Sequence, residues 1–180
     1  MKIGVYGGSF NPVHFGHIGL VKWVLEHSDL DAIWMLVSPK SPHKTDRVDL
    51  DANYPQRLAA AREAMKDMPR VVVSDFELRL PIPSYTANTL RELSKAYPEH
   101  EFSLIIGEDN WEVFDKWREW EYILANYRIF VYPRHSKNGV SSTSNFQLPN
   151  VNYLTGAPYF DISSTEIRNK MKANPVNREK

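Results

Sequence analysis

The sequence predicts a single α/β domain built on a doubly wound parallel sheet. Apolar runs typical of buried strands alternate along the chain with segments of helical periodicity, and this pattern is typical of parallel strands joined by crossover helices. The chain has 180 residues, a length that forms one domain with a sizeable core. Because no internal repeat is present, we expect one domain over residues 1–180.

Each predicted strand is a short apolar run, rich in β-branched or aromatic residues. The strands are expected at 3–6, 32–37, 71–73, 102–106, 128–132 and 151–154. Helices are predicted between them from apolar spacing and from proline or hydroxyl residues near their starts. They are expected at about 15–26, at 54–66, from an N-cap at Ser84 or Thr86, in short segments between 111 and 126, and from 161 onward. The polar stretches at 136–149 and 173–180 predict a mobile loop and a frayed tail.

The composition excludes several classes of function. The 22 basic residues balance 22 acidic ones, so no net field attracts nucleic acid or an anionic membrane. The absence of cysteine excludes disulfides, thiolate metal sites and cysteine nucleophiles. The N-terminus enters the first strand without an apolar leader, and no apolar run approaches the ~20 residues that cross a bilayer. We therefore expect a cytoplasmic protein.

The most informative segment lies between the first strand and the first helix. Gly7 and Gly8 allow a sharp turn and a close approach of backbone to ligand, and Pro12 stiffens the loop. The start of the helix offers free N–H groups and the positive end of its dipole to phosphate. His14 and His17 lie three residues apart on that first turn, so their imidazoles can donate to one phosphate chain. This segment predicts a nucleotide site.

A second anion site is predicted at the start of the last helix. Ser163 and Glu166 have the spacing of a capping box, which is a structural role. Ser164, Thr165 and Arg168 have no such explanation, and their hydroxyl and guanidinium groups suit phosphate. The start of the last helix is therefore a second predicted anion site.

Other candidate residues follow predicted strands, at the edge where open α/β sheets bind ligands. Gly107 and Asp109 follow the fourth strand, and His43 and Lys44 follow the second; a solvated basic loop is the alternative for the latter pair. Three tryptophans between 111 and 120 exceed the need of a short surface helix, so one is expected to stack on a ligand ring. Neither the dinucleotide fingerprint nor the P-loop pattern is present.

Residues 8–17, GSFNPVHFGH, resemble the signature of the nucleotidyltransferases that carry a His-x-x-His motif. The rest of the chain is similar, in order and spacing, to the bacterial nicotinate mononucleotide adenylyltransferases, and this resemblance extends from residue 1 to about residue 172. The segments that carry it are Pro42 to Lys44, Ser84 to Thr86 (SYT), Gly107 to Asn110 (GEDN), Trp117, Arg134 and Ile162 to Arg168 (ISSTEIR). The resemblance implies a Rossmann-like fold of the nucleotidyltransferase type.

The resemblance implies adenylyl transfer from ATP to nicotinate mononucleotide, giving nicotinate adenine dinucleotide and pyrophosphate in NAD biosynthesis. It implies catalytic roles for His14, His17, Lys44 and Arg168, and it implies that the two helix starts, although far apart in the sequence, converge on one triphosphate. The implied ATP-binding residues are Gly8, Ser9, Phe10, His14, His17, Gly107, Asp109, Arg134, Ile162, Ser163, Ser164, Thr165 and Arg168. The implied mononucleotide-binding residues are Lys44, Tyr85, Thr86 and Trp117. Mg²⁺ is expected to arrive with ATP, no nucleic acid or membrane partner is expected, and the oligomeric state is left open.

Three alternative functions are retained. The acceptor could be nicotinamide mononucleotide, which differs from the acid by one uncharged amide, or phosphopantetheine, which other nucleotidyltransferases use. The protein could also be a nucleotide-binding sensor without turnover. His17, Lys44 and Arg168 argue against a sensor, because affinity alone requires no clamp around a leaving group.

Overall fold

The structure of the protein, a computed structural model, describes residues 1–40, 52–134, 148–158 and 169–170. The predicted helix start at 161–168 and the predicted tail at 173–180 lie outside the described residues. The predicted loop at 136–149 also lies outside them, apart from positions 148 and 149. The expectations for these segments stay predictions.

The described residues form a six-stranded sheet in which every neighbouring pair of strands is parallel. Its strands are β1 (Lys2–Gly8), β2 (Ala32–Val37), β3 (Val71–Ser74), β4 (Glu101–Gly107), β5 (Arg128–Tyr132) and β6 (Val151–Tyr153). The strand order is β3-β2-β1-β4-β5-β6. This order confirms the predicted doubly wound α/β class, and each strand lies where the apolar runs placed it, within two residues at each end.

The helices of the described part connect these strands. They are α1 (Phe15–His27), α2 (Tyr54–Ala64), α3 (Thr86–Ala96), α4 (Glu108–Glu112) and α5 (Trp120–Asn126), with short 3-10 turns at Phe76–Arg79 and Phe114–Lys116. α2 begins with a proline in its first turn, as the sequence predicts. Among the described residues, no helix combines the length and the apolar character needed to cross a membrane.

The predicted N-cap of α3 is wrong. We expected Ser84 or Thr86, but Tyr85 occupies the N-cap with an extended backbone, and no side chain caps the helix. The hydroxyl of Ser84 is instead buried beside the carboxyl of Glu77. Thr86 is the first residue of the helix. The backbone N–H groups at the start of α3 are therefore left without a side-chain cap.

Helices cover both faces of the sheet. α1 and α2 pack in one apolar cluster, represented by Val24, and α3 and α5 pack in a second, represented by Leu90. Along β1, Val5 belongs to the second cluster and Tyr6 to the first, because successive side chains of a strand point to opposite faces. The central strands are therefore buried on both sides, which explains their nearly continuous apolar sequences.

The strand order places a crevice at the centre of the sheet. From β1 the chain moves outward through β2 to β3 and then returns to add β4 on the other side of β1. The connections after β1 and β4 consequently diverge to opposite faces. The carboxyl ends of these two strands are the point where open α/β sheets bind ligands.

Candidate active site

A cavity of about 180 Å³ lies at this crevice. Its walls include Gly8 at the end of β1, Ser9 just after it, Gly107 at the end of β4, Thr86 at the start of α3, and Trp117. Gly8, Ser9 and Gly107 belong to the predicted ATP site, whereas Thr86 and Trp117 belong to the predicted mononucleotide site. The fold thus brings members of the two predicted sites together around one space.

His14 and His17 form a capping box at the start of α1. The Nδ1 atom of His14, the N-cap residue, accepts a hydrogen bond from the backbone N–H of Gly16 at 3.1 Å. The Nδ1 atom of His17 accepts from the backbone N–H of His14, also at 3.1 Å. The two rings stack with centroids 3.7 Å apart. Since Nδ1 is an acceptor in both rings, the neutral tautomer of each carries its proton on Nε2.

The surroundings of both imidazoles favour the neutral ring. Burial, followed by the charges of His14 and Arg134, lowers the pKa of His17 to about 3. Burial and the charge of Arg134 also lower the pKa of His14, because desolvation and a nearby cation both disfavour the charged imidazolium. The pair therefore offers two Nε2–H donors without a positive charge. The sequence predicted the donors, and the His-x-x-His spacing is also that of a capping box.

The loop that leads to these histidines is held in a strained conformation. Phe10 has a φ of 45°, a left-handed value that is uncommon for a bulky side chain. Its ring is buried and lies edge-on to His17, with centroids 5.0 Å apart. A Cβ atom at Gly8 would lie 3.2 Å from this ring, so glycine there permits the close packing. The buried Phe10 ring therefore packs against His17, which leaves the backbone of Phe10 for the predicted contact with ATP.

Arg57 on α2 holds the same loop and was missed by the sequence analysis. Its buried guanidinium donates to the carbonyl oxygen of Ser9 at 2.7 Å and to that of Ser38, just after β2, at 3.0 Å. The available signal was its helical spacing from Tyr54 and Ala61, which places an arginine on the buried face of α2. Arg57 ties together the segments that follow two neighbouring strands.

Gly107 allows a polar group and a cation to meet at the end of β4. A Cβ atom there would lie 2.6 Å from Asp109 Oδ1 and 3.2 Å from Arg134 Cδ, so any larger residue would displace them. Asp109 Oδ2 lies 3.7 Å from Arg134 Nε, while Oδ1 is buried and accepts no hydrogen bond within the described residues. Because Arg134 also lowers the pKa of both histidines, these predicted ATP-site residues lie within electrostatic reach of one another.

The predicted mononucleotide-binding residues differ in whether they line the cavity. Thr86 and Trp117 line the cavity. Tyr85 lies at the N-cap of α3, where its ring is covered by the guanidinium of Arg118, 4.7 Å from the ring centroid. Trp117 also packs on Phe114 with ring centroids 5.3 Å apart, so it belongs to the second apolar cluster and the cavity wall at once.

Six of the predicted site residues lie outside the described residues. They are Lys44, Ile162, Ser163, Ser164, Thr165 and Arg168. The expected convergence of two helix starts on one triphosphate therefore stays a prediction, and only its first half is described. Within the described ranges, no group of three or more histidine, aspartate or glutamate side chains is arranged to hold a metal ion.

Comparison with known proteins identifies the family. The cytidylyltransferase-like family matches residues 5–170. A protein of Bacteroides fragilis named "Probable nicotinate-nucleotide adenylyltransferase" is 46% identical over 169 residues, which cover 93% of this chain and 80% of that protein. The chain belongs to the nicotinate-nucleotide adenylyltransferases of the cytidylyltransferase-like family. This membership confirms the resemblance and the predicted enzyme class.

Other members of the nicotinate-nucleotide adenylyltransferases agree in sequence and in fold. A protein of the same name from Flavobacterium johnsoniae is 45% identical over 175 residues, which cover 96% of this chain and 87% of that protein. The structure of Plasmodium falciparum nicotinic acid mononucleotide adenylyltransferase complexed with NaAD aligns with a TM-score of 0.69 at 16% identity, covering 93% of this chain and 82% of that one. At this identity the structural likeness confirms the fold.

The tautomers and protonation of the two histidines can be measured directly. We expect His17 to stay neutral, as the Nε2–H tautomer, between about pH 8 and about pH 5, because its ring is buried and its Nδ1 accepts a backbone hydrogen bond. His14 should titrate below the ordinary value of about 6.5. Nitrogen-15 NMR of histidine-labelled protein reports both properties, and His17→Gln and His14→Asn assign the signals.

The same protein unfolded in urea is the control, since both rings should then titrate near about 6.5. The pKa of His17 is lower in the folded protein than in the unfolded chain, so below about pH 6.5 the unfolded chain binds one more proton. The free energy of unfolding should therefore decrease as the pH falls from about 6.5 towards 3. Protonation of folded His17 above about pH 5 would contradict the burial argument.

The cap and the ligand-binding role of His14 can be separated. His14→Ala should lower the free energy of unfolding by about 1 kcal/mol, because the N-cap acceptor is lost. His14→Asn should restore most of that stability, since asparagine is a preferred N-cap, but it should not restore adenylyl transfer because its amide does not reach the Nε2 position. Urea unfolding measures stability, and pyrophosphate release measures activity. If His14→Asn restored both to the same extent, His14 would act as a helix cap and not as a ligand-binding residue.

Proposed function

We propose that the protein transfers the adenylyl group of ATP to nicotinate mononucleotide and releases pyrophosphate. The observation that carries the proposal is the cavity that joins the glycine loop before His14 and His17 to Thr86 and Trp117. A transferase needs both substrates in one enclosed space, with their reacting phosphates in contact. Membership of the nicotinate-nucleotide adenylyltransferases supports the same reaction.

The reaction requires that the two substrates be aligned and that the negative charge on their phosphates be neutralised. A phosphate oxygen of nicotinate mononucleotide, already an anion, forms a bond to the α-phosphorus of ATP, and the bond from that phosphorus to the bridging oxygen breaks. Pyrophosphate leaves with the electron pair, and nicotinate adenine dinucleotide is formed. Because the nucleophile carries its own charge, the protein has to supply positioning and electrostatic stabilisation, not a base.

The described residues suit this task. The Nε2–H groups of His14 and His17 would donate to the triphosphate, with His17 nearest the α-phosphate. Arg134 would supply positive charge beside them, held by Asp109. Gly8 and Ser9 would contribute backbone contacts, as would Phe10, and Gly107 and Asp109 would lie along the adenosine.

The acceptor would occupy the other side of the cavity. Trp117 would stack on the pyridine ring, a contact that contributes about 1–3 kcal/mol when bases stack on aromatic side chains. The pyridine carboxylate would approach Thr86 and the uncapped N–H groups that follow Tyr85, where the helix dipole favours an anion.

The remaining roles rest on the resemblance alone. Ser163, Ser164, Thr165 and Arg168, with the backbone of Ile162, would hold the β- and γ-phosphates. Lys44 would neutralise the mononucleotide phosphate. Mg²⁺ enters as part of the substrate, bound to the ATP phosphates. The equal numbers of acidic and basic residues favour small nucleotides over nucleic acid as partners, and such substrates suit the cytoplasm.

Substrate specificity is tested by measuring pyrophosphate release with Mg²⁺–ATP and each of three acceptors. We expect nicotinate mononucleotide to give the highest kcat/KM, because an uncapped helix start favours a carboxylate over an amide. Faster turnover with nicotinamide mononucleotide or phosphopantetheine would assign that acceptor instead, and no turnover with any acceptor would favour a sensor.

His17→Ala should lower kcat by about 10²-fold or more, by analogy with the loss of one oxyanion-type donor.

Trp117→Ala should raise the KM for nicotinate mononucleotide more than the KM for ATP, because the stacking partner of the acceptor is lost. Trp111→Ala is the matched control, since Trp111 also stacks on Phe114 but does not line the cavity. Steady-state kinetics with each substrate varied in turn measures the difference. Equal increases in the two KM values would assign Trp117 to the core only.

A further inference from the structure

Glu77 is a buried carboxyl group in the wall of the cavity, and the reaction proposed above gives it no task. It lies in the 3-10 turn Phe76–Arg79 that follows β3, and it is 5% exposed. Its hydrogen-bond partner Thr89 also lines the cavity and lies on α3, the helix that begins at Thr86. Glu77 thus lies on the acceptor side of the cavity. No motif in the sequence singles it out.

Hydroxyl groups from three segments surround this carboxyl group. Ser38, just after β2, donates to Oε1 at 3.2 Å, and Thr89, in the first turn of α3, donates to Oε2 at 3.2 Å. The hydroxyl of Ser84, just before α3, lies beside the same group. Within the described residues, no lysine or arginine forms an ion pair with Glu77. Burial raises the pKa of Glu77, and the three hydroxyl groups partly offset that rise.

These contacts lie on both sides of the uncapped start of α3. Ser84 precedes the N-cap Tyr85, and Thr89 follows it by one turn. The Thr89 hydroxyl also lies 3.2 Å from the carbonyl oxygen of Tyr85, so Glu77 is linked to the N-cap residue itself. Ser38 is fixed on the other side, because its N–H donates to the Gly8 carbonyl at 2.9 Å and its own carbonyl accepts from Arg57.

We propose that Glu77 is a positioning residue for the acceptor substrate: it fixes the start of α3 against the end of β2, so that Thr86 and the neighbouring N–H groups face the pyridine carboxylate opposite Trp117. The inference rests on the proposed function and deepens it. Glu77 acts through Thr89, Ser84 and Ser38, and not by touching the reacting phosphates.

Burial of a carboxyl group without a cation is unfavourable unless its hydrogen bonds are satisfied. At Glu77 the hydroxyl groups of Ser38 and Thr89, which belong to different segments, donate to the two carboxyl oxygens. An apolar side chain of similar size would fill the same space but would accept neither hydrogen bond. The carboxyl group therefore fixes the relative positions of these segments in a way that apolar packing does not.

The decisive variants are Glu77→Leu and Glu77→Gln. Glu77→Leu fills the space but loses the hydrogen bonds from Ser38 and Thr89, so the KM for nicotinate mononucleotide should rise about 10-fold or more while the KM for ATP changes by less than about 3-fold. Because the hydroxyl groups of Ser38 and Thr89 lose their acceptor, the urea midpoint of Glu77→Leu should fall slightly, but the enzyme should stay folded under the assay conditions. Glu77→Gln keeps one acceptor oxygen, and its amide can donate to a hydroxyl group. It should therefore stay within about 3-fold of wild type for both substrates.

Two controls make the test specific. Glu92→Leu introduces the same substitution on α3 at a residue that pairs with Lys95 and does not line the cavity, and it should leave both KM values unchanged. If Glu77→Leu does not fold, Thr89→Val removes one donor at nearly constant volume. It should then raise the acceptor KM selectively, by about 3-fold or more.

The outcomes separate the two claims. Absence of wild-type turnover with nicotinate mononucleotide overturns the proposed function, and this inference falls with it. If the wild type turns over, unchanged KM values in Glu77→Leu overturn the inference alone. Equal increases in the KM values of acceptor and ATP also overturn it, because they indicate a general structural defect. A selective increase for the acceptor, reversed by glutamine, supports the positioning role.

Discussion

Two hydrogen bonds at the start of α1 determine what the site can offer a ligand. In each, a backbone N–H donates to the Nδ1 atom of an imidazole, from Gly16 to His14 and from His14 to His17. Occupation of Nδ1 leaves Nε2 as the N–H donor of the neutral ring. The contacts that begin the helix therefore also orient the donors, and the rest of the site is arranged around them.

At this site, different residues supply the oriented hydrogen-bond donors and the positive charge. The histidines are buried enough to be neutral, whereas Arg134, on the segment after β5, keeps its charge and reaches them electrostatically. Their proximity follows from the strand order, since β4 lies between β1 and β5, and from Gly107, whose missing side chain leaves room for Arg134 and Asp109. Neutral donors with fixed directions and one adjacent cation suit a phosphate chain that redistributes charge during reaction.

Ser38 connects the two halves of the cavity through buried polar groups. Its carbonyl accepts from Arg57, which also holds Ser9 on the ATP side, and its hydroxyl donates to Glu77 on the acceptor side. Burial of ionisable groups such as Arg57 and Glu77 is unfavourable for stability unless their hydrogen bonds are satisfied. Their presence at the cavity wall indicates that the relative positions of the strand-end segments matter more than additional apolar packing.

Local signals in the sequence predicted all six strands, and the bounds of α1 and α2, to within two residues, because apolar periodicity is a property of each segment. The spacing of glycine and histidine likewise predicted a nucleotide loop, whereas the positions of Thr86 and Trp117 in the cavity wall agree with roles that the resemblance implied. The N-cap of α3, the neutral form of His17 and the contacts of Arg57 and Glu77 were evident only in three dimensions. Each of these depends on which groups meet across strands and helices distant in sequence, and on the water excluded there, neither of which leaves a local pattern.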